Sequence, residues 1–185
     1  QILNGNGDGQ LIEDGVSVCS GAWEITKPRV KAKNSMAFIV WEDERNEDTS
    51  DIDIFVQKID SGGLPVWEED GLAVTTAEGK QTEPRLETDG SGGVYFVWED
   101  ARNEITGRDI YAQHKNSSGS NINDADEELN GVKICNANYS QFNPLVRNDG
   151  FGGAIIIWGD QRYEGSYSMN VQRLLSSGIT LADDE

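Results

Sequence analysis

The sequence has few histidines and cysteines, on which many catalytic and metal sites depend. It contains one histidine, His114, with no Gly-x-Ser-x-Gly segment around it, which argues against a serine–histidine–aspartate hydrolase. Its two cysteines, Cys19 and Cys135, form no Cys-x-x-Cys pair, so a zinc site and a redox centre are also disfavoured. Apolar runs such as residues 154–158 are no longer than six residues, whereas a membrane helix needs about 20. We therefore expect no membrane insertion.

Positive charge is scarce as well. Lys and Arg number 15 against 33 Asp and Glu, which gives a net charge of −18. Nucleic-acid binding requires a basic surface that displaces counterions, so we expect no nucleic-acid partner. The chain does have 21 glycines and five tryptophans in a sequence that is 36% hydrophobic, which indicates a folded protein with frequent turns.

A repeat of 57 to 60 residues runs through the chain. It is marked by a Trp-x-Asp-x-Arg motif, by a proline before it, and by a glutamine and a Gly-Val or Gly-Leu pair after it. The motif residues are Trp41, Asp43 and Arg45, then Trp98, Asp100 and Arg102, then Trp158, Asp160 and Arg162; the other landmarks are Pro28, Pro84, Pro144, Gln57, Gln113, Gln172, Gly15, Gly71 and Gly131.

The repeat also suggests how the chain is divided. Gln1 is in register with Gln57, and residues 172–185 align without gaps on residues 1–14. We therefore predict one repeat domain with units of approximately 1–56, 57–112 and 113–171, and with residues 172–185 starting a fourth. This arrangement is typical of a piece cut from a longer array.

Each unit has the sequence of a small β-sheet. The segments 37–41, 94–98 and 154–158 are continuously apolar and rich in β-branched and aromatic residues, so we predict strands that are covered on both faces. Shorter strands and glycine turns surround them, giving about four strands per unit, the size of a propeller blade. We predict an all-β, β-propeller-like repeat of about three four-stranded blades plus a partial one. Since closed propellers have about 4–8 blades, the rest would come from a longer chain or a second copy, unless the array stays open.

A second motif follows the first in each unit: Asp-Ile-Phe-Val-Gln at 53–57, Asp-Ile-Tyr-Ala-Gln at 109–113 and the divergent Ser-Met-Asn-Val-Gln at 168–172. The combination resembles the tandem repeats of large secreted bacterial surface proteins. That resemblance implies β-propeller domains, a secreted or cell-surface location and, for most such repeats, no assigned activity.

The recurrence of the first motif favours a structural role for its residues. Asp and Arg two positions apart on a strand lie on the same side and can pair, while the tryptophan suits packing between blades. Binding is expected instead on the variable loops that follow, and on two tryptophans outside the motif. The loop candidates are Arg45, Asn46, Arg102, Asn103, Arg162 and Tyr163, and the candidates for exposed aromatic contacts, though partial burial suits them better, are Trp23 and Trp67.

The lone histidine and the cysteines are given no chemical role. His114 aligns with Lys58 and Arg173, which indicates a surface position. Cys19 and Cys135 occupy equivalent places two units apart, too far for a disulfide, and are interpreted as small buried strand residues.

Calcium is the one cofactor that the sequence leaves open. Asn4, Asn6 and Asp8 resemble the opening of a calcium loop, but Gly15 stands where the closing Glu belongs, and a glycine-rich turn explains the segment better. The acidic loop 43–53 is a second place for a hard cation, although such loops are usually only solvated. We therefore predict no metal site and no other cofactor.

With no catalytic constellation in the sequence, we predict a protein that is not an enzyme. The preferred interpretation is a non-catalytic binding or scaffold module of an extracellular or cell-surface protein, with a protein or glycan ligand or a neighbouring repeat unit as partner. The alternatives are a fragment of a carbohydrate-active propeller enzyme and a structural stalk or fibre subunit.

Overall fold

The computed structural model describes residue 6 and residues 15–103, 107–122, 130–163 and 165–176, and within them the protein is a β-propeller-like fan of three antiparallel sheets. Sheet 1 contains β1 (Ile25–Lys33), β2 (Met36–Asp43), β3 (Asp53–Ile59) and β4 (Leu72–Thr75). Sheet 2 contains β5 (Gln81–Thr88), β6 (Val94–Asp100), β7 (Asp109–Lys115) and β8 (Val132–Cys135). Sheet 3 contains β9 (Gln141–Asn148), β10 (Ala154–Asp160) and β11 (Ser168–Leu174), and one helical turn, α1 (Glu47–Ser50), connects β2 to β3.

The strands of every sheet follow chain order, and the sheets meet along their first strands. β1 packs beside β5, and β5 packs beside β9, whereas β4 and β8 form the outer edges of sheets 1 and 2. We call the rim formed by β1, β5 and β9 the converging edge. The predicted all-β propeller architecture is thus confirmed, with two four-stranded sheets and a third of which three strands are described.

The apolar middle strands form the core between the sheets. Every residue of β6 is buried, since sheet 2 has a neighbour on both sides. β2 and β10 belong to the two end sheets, and Ile39, Ile155 and Ile157 are only partly covered there. Phe38, Val40, Ile54, Val56 and Val74 meet Leu86, Val94, Phe96 and Trp98 between sheets 1 and 2; Tyr95, Val97, Ile110, Ala112 and Ile134 meet Val146, Ala154, Ile156, Trp158 and Leu174 between sheets 2 and 3.

The three landmark prolines share one place in the fold. Pairing of β1 with β2 and of β5 with β6 shifts just before Arg29 and Arg85, next to Pro28 and Pro84, and β9 carries Pro144 at the same kind of shift. Proline has no N–H to give to the ladder, and such an irregularity accommodates it. As a result the first strands bend where they converge.

The boundaries drawn from the sequence after residues 56 and 112 lie inside β3 and β7, while the sheets themselves divide the chain between residues 76–80 and 136–140. Residues 177–185 of the predicted fourth unit, and Asn4 and Asp8 of the weak calcium candidate, lie outside the described residues. Asn6 is an exposed turn residue. The described chain includes no helix that is long and apolar enough to span a membrane.

Candidate functional site

Each Trp-x-Asp-x-Arg motif folds into a compact corner at the end of the middle strand. In sheet 1 the Trp41 indole Nε1 donates to Asp43 Oδ2 at 2.7 Å, and the Arg45 guanidinium donates to both carboxylate oxygens at 2.8 and 2.7 Å. Sheet 2 repeats these bonds with Trp98, Asp100 and Arg102, and sheet 3 with Trp158, Asp160 and Arg162, except that Arg162 donates twice to one oxygen. The side chains of all three aspartates are fully buried.

The corner arginines have a second structural contact. Arg45 Nη2 donates to the Asp70 carbonyl at 2.8 Å, and Arg102 Nη2 donates to the Asn130 carbonyl at 2.7 Å, which ties each corner to the start of the fourth strand. Their guanidinium planes also lie over Phe55 and Tyr111, at 3.7 and 3.9 Å from the ring centres. The first two arginines are therefore committed to holding their own sheets together.

The corner donors keep Asp43 and Asp160 ionised. Burial disfavours the charge on Asp160, but the hydrogen bonds from Arg162 and Trp158 outweigh it and lower its pKa to about 2. For Asp43 the same balance, burial against the bonds from Arg45 and Trp41, lowers the pKa below its ordinary value. A carboxylate held in this state does not act as a proton donor at neutral pH.

The remaining loop and aromatic candidates are spread over the molecule. The Asn46 amide donates to Asp53 at 2.7 Å, Asn103 is partly buried, and Tyr163 is 70% exposed. Trp23 and Trp67 are both half-buried: the Arg45 guanidinium lies 4.9 Å from the Trp23 ring centre, and Trp67 packs against Phe38. These residues do not converge on one place.

The prediction of a surface histidine is wrong. His114 is only 6% exposed, stacks on Tyr95 with 3.9 Å between ring centres, and has its Nε2 3.1 Å from Asp89. Burial lowers its pKa against the opposing effect of Asp89. Its equivalent Lys58 is also buried, and the Lys58 Nζ donates to the Ser117 carbonyl of sheet 2 at 2.8 Å.

The cysteines are both unpaired and partly buried. Cys135 lies in β8, whereas Cys19 lies outside the strands, so the prediction of a buried strand residue fits the first better than the second. Within the described ranges, no three His, Cys, Asp or Glu side chains lie close enough together to hold a metal ion.

The converging edge is the place where polar side chains from different sheets do meet. Its three strands carry six of the 15 Lys and Arg but only two of the 33 Asp and Glu, which makes a cationic rim on an acidic protein. The cations are Lys27, Arg29, Lys31, Lys33, Arg85 and Arg147, and the acids are Glu83 and Glu87.

Side chains at equivalent positions of neighbouring first strands contact one another. Lys31 Nζ lies 2.9 Å from Glu87 Oε2, and Arg147 Nη1 lies 3.6 Å from the same oxygen. Lys27 Nζ lies 2.7 Å from Glu83 Oε1, and Arg29 reaches the other oxygen of Glu83 at 3.8 Å. The cations outnumber the acids they share, and their side chains stay accessible: 42% of Lys27 and 68% of Arg147 is exposed.

Two further glutamates fasten this edge from behind. Glu42, second residue of the first motif, accepts the backbone N–H of Glu83 at 2.7 Å, and Glu99 accepts that of Asn143 at 2.8 Å. Each bond joins one sheet to the first strand of the next, so we call these residues the latch glutamates. The third motif has Gly159 at this position, packed against the Phe142 ring.

The chemistry available at the converging edge is binding of anions and hydroxyl groups. Glu83 is unsuited to donate a proton, because its hydrogen bond with Lys27 lowers its pKa more than burial raises it. Sequence reasoning missed the edge, although one signal was present: Arg29, Lys31 and Lys33 alternate with small or apolar residues, as expected for one charged side of a strand.

No protein-family model matches the sequence, and no curated protein is similar to it in sequence. Among solved structures, a mutant of B. megaterium levansucrase has a TM-score of 0.52 at 9% identity, over 89% of this chain and 49% of the levansucrase chain. An endo-1,4-beta-xylanase from Bacteroides thetaiotaomicron has a TM-score of 0.47 at 13% identity, over 91% and 57% of the two chains. An alpha-L-arabinanase from Penicillium chrysogenum has a TM-score of 0.43 at 11% identity, over 83% and 47%.

The chain thus spans about half the length of the structures it resembles, and at these identities the likeness is one of fold. It nevertheless corrects the prediction of a non-catalytic scaffold module that is not an enzyme. The levansucrase has the same kind of fold and is an enzyme, so this architecture does not argue against catalysis. The alternative of a carbohydrate-active propeller enzyme fits this finding better.

Proposed function

We propose that this chain forms three blades of a carbohydrate-active propeller enzyme, and that its converging edge binds an acidic saccharide. The observation that carries the proposal is the concentration of cations on β1, β5 and β9 in a protein of net charge −18. A rim of exposed Lys and Arg attracts carboxylated sugars, while the acidic remainder of the surface repels them. The fold likeness to carbohydrate-active enzymes supports the saccharide part of the proposal.

The described edge supplies binding rather than a complete reaction. Glycoside hydrolysis requires two carboxyl groups, one of which starts protonated, and both acids on the first strands are engaged by cations. We therefore assign positioning of the ligand to the residues of the converging edge, and we place the reacting carboxyl groups elsewhere in the enzyme. A polysaccharide ligand also agrees with the predicted extracellular location and with the resemblance to secreted repeat proteins.

Calorimetric titration with a galacturonate oligosaccharide, and with a neutral xylo-oligosaccharide of equal length, tests the binding. We expect the acidic ligand to bind more tightly, and its affinity to fall as salt is raised, since exposed charges are screened. Arg147→Ala, which removes an exposed cation of the edge, should weaken binding about tenfold, in line with a charge-assisted contact.

Lys80→Ala is the matched control, because Lys80 is similarly exposed, at 58% against 68% for Arg147, pairs with Asp51 and lies outside the strands of the converging edge. Equal effects of the two substitutions would assign the binding to net charge and contradict the proposed site. The enzyme part is tested by product release from acidic polysaccharides. Failure of every saccharide both to bind and to be cleaved would overturn the proposed function.

A further inference from the structure

Two ends of the sheet fan expose positions that are buried inside it. Each sheet has a leading face, turned toward the sheet before it in the chain, and a trailing face, turned toward the sheet after it. On the leading faces of sheets 2 and 3, Leu86 and Val146 are 8% and 1% exposed, whereas their equivalent in sheet 1, Val30, is 65% exposed.

The trailing faces show the same contrast at the other end. The paired positions Ile54 and Val56 in sheet 1, and Ile110 and Ala112 in sheet 2, are completely buried. Their equivalents in sheet 3, Met169 and Val171, are 79% and 64% exposed. The two end faces are therefore complementary, because a trailing face and a leading face of these kinds cover each other at both contacts inside the fan.

Sheet 3 also lacks a fourth strand among the described residues. In sheets 1 and 2 that strand is preceded by a glycine placed against the corner tryptophan, so that a Cβ on Gly71 or Gly131 would come within 2.7 or 2.4 Å of the indole. At the same place in sheet 3 there is an open groove of about 550 Å³ beside Trp158, Arg162 and β11. Arg162 is correspondingly more exposed, at 35%, than Arg45 at 17% and Arg102 at 20%.

Residues 15–20 have the sequence and the placement of such a fourth strand. Gly-Val-Ser-Val-Cys at 15–19 corresponds to Gly-Leu-Ala-Val-Thr at 71–75 and Gly-Val-Lys-Ile-Cys at 131–135. The Ser20 N–H donates to Asp70 Oδ1 at 2.7 Å, as the Thr76 N–H donates to Asn130 Oδ1 at 3.0 Å, so the segment lies against sheet 1 as β4 lies against sheet 2.

Gly15 shows what this segment lacks. Its φ of +87° matches +86° at Gly71 and +82° at Gly131, but no atom of the described residues lies within 4 Å of the position a Cβ would take. The tryptophan that packs on the other two glycines is missing there. The leading end thus presents a segment with the sequence of a fourth strand but without its sheet, and the trailing end presents a sheet without that strand among the described residues.

We propose that two copies of this chain associate head to tail, with residues 15–20 of one copy completing sheet 3 of the other. The internal register of β7 with β8 places Val16 opposite Val171, Ser17 opposite Asn170 and Cys19 opposite Met169. Gly15 then packs on Trp158, and Val30 covers the trailing face of sheet 3. Six sheets fall within the range in which propellers close, so two such contacts complete a ring.

The contact between copies is weaker than the contacts within one copy, because Gly159 replaces the latch glutamate of the third motif. The association is therefore expected to be reversible, with a dimer that dissociates on dilution. This proposal does not depend on the proposed function.

Sedimentation velocity across a concentration series tests the association. We expect a discrete dimer, and we expect Gly15→Ala to shift the protein to monomer, because its methyl group meets Trp158 only in the dimer. Gly150→Ala is the matched control, since Gly150 also has a positive φ, +79°, and open space around it, but lies on a turn away from both end faces. A wild-type protein that stays monomeric at every concentration would overturn the proposal and leave a further repeat of a longer chain as the occupant.

Oxidative cross-linking tests the register. In a Cys135→Thr background, which copies Thr75 of the equivalent strand, Met169→Cys should form a disulfide with Cys19 of the other copy, because paired residues on neighbouring strands lie within disulfide range. Tyr163→Cys, exposed but off the trailing face, should not cross-link. Cross-linked species larger than two chains would keep the head-to-tail contact and overturn the closed pair, whereas equal cross-linking by both variants would overturn the register.

Discussion

A buried carboxylate is tolerated only when its charge is matched by donors, and in the motif corners the donors come from the same short segment. Asp160 receives Trp158 and Arg162 from within two residues and also Asn170 from β11, at 3.0 Å. Replacing one oxygen by an amide leaves the Arg162 charge poorly paired. Asp160→Asn should therefore lower the free energy of unfolding at pH 7 by about 3 kcal/mol.

The same substitution should change the acid limb of the stability curve. Because the folded-state pKa of Asp160 is about 2, below the ordinary 3.8, its stabilisation is complete above about pH 4 and is lost as the pH falls toward 2. The difference between wild type and Asp160→Asn should shrink over that range. Urea unfolding at several pH values measures it, with Glu69→Gln, an exposed carboxyl group, as a control expected to change little.

Replacing a glycine can destabilise the protein through backbone strain at a positive φ and through a clash of the new Cβ, and comparing Gly131 with Gly150 separates the two effects. The φ of Gly131 is +82°, and a Cβ there would lie 2.4 Å from the Trp98 ring, whereas Gly150 has a φ of +79° and open space. Gly131→Ala should therefore destabilise the protein by clearly more than the roughly 1 kcal/mol expected for Gly150→Ala, which has only the backbone cost. Equal losses in thermal unfolding would contradict the packing of Trp98 on this glycine.

Residue patterns predicted which side chains contact each other better than they predicted whether a side chain is buried. The recurrence of Trp, Asp and Arg indicated a structural pairing, and the structure has the three side chains in contact. A surface position was predicted for His114 because its equivalents Lys58 and Arg173 are charged, and charged residues are usually exposed to solvent. In the fold, the polar ends have partners within the protein: Lys58 donates to backbone carbonyls of sheet 2, whereas His114 lies beside Asp89 in a turn of its own sheet.

At the scale of strands, the latch glutamates determine how one sheet holds the next. Glu99 accepts the Asn143 N–H from β9 and is contacted by Arg108 at 2.7 Å, and it is only 2% exposed. Glu99→Ala leaves both donors without their acceptor and should loosen sheet 3 from sheet 2. Amide hydrogen exchange should accelerate in β9 more than in β2.

Exchange that rises equally in all three sheets would instead indicate global destabilisation and contradict a local latch. Glu87→Ala is a useful comparison, because Glu87 also pairs across first strands but through side chains alone. We expect it to have the smaller effect on β9, since ion pairs at an accessible edge contribute little.

The middle strands could be predicted from the sequence, and the first strands could not. Continuous apolar segments such as 94–98 have one physical explanation, coverage on both faces, and β6 is buried throughout. The first strands contain proline, lysine and glutamate, which read as a solvated connection. These strands form one edge only because the three sheets converge, and that convergence depends on contacts between residues far apart in the sequence.

At the scale of the whole molecule, the absence of catalytic motifs was misleading. One site in a propeller can be shared among several blades, so the lack of a catalytic motif within three blades does not argue against catalysis. What the three described sheets do contain is the cationic converging edge and two end faces with exposed apolar side chains. The sequence therefore allowed the architecture to be predicted, while the inference that the protein is not an enzyme was wrong.

The third motif allows the head-to-tail contact to be strengthened by design. Gly159→Glu alone is blocked, because a Cβ there would lie 2.5 Å from the Phe142 ring. Phe142→Thr, which copies Thr82 and Thr26, removes this block. The double variant therefore gives sheet 3 a latch glutamate like those of the first two sheets. Dimer affinity measured by sedimentation should then rise about tenfold, as expected for one charge-assisted hydrogen bond, and Phe142→Thr alone should not raise it.

The corners of sheets 1 and 2 draw their bonds from their own sheet, whereas each latch glutamate reaches forward to the next. A gene duplication that copied one whole unit would consequently insert a module that is already fastened inside and already fits both neighbours. The number of blades could change over evolution by unequal crossing-over without any new contact having to arise, and a unit whose forward-reaching carboxylate has been replaced, as at Gly159, would mark a point of weaker attachment in the array.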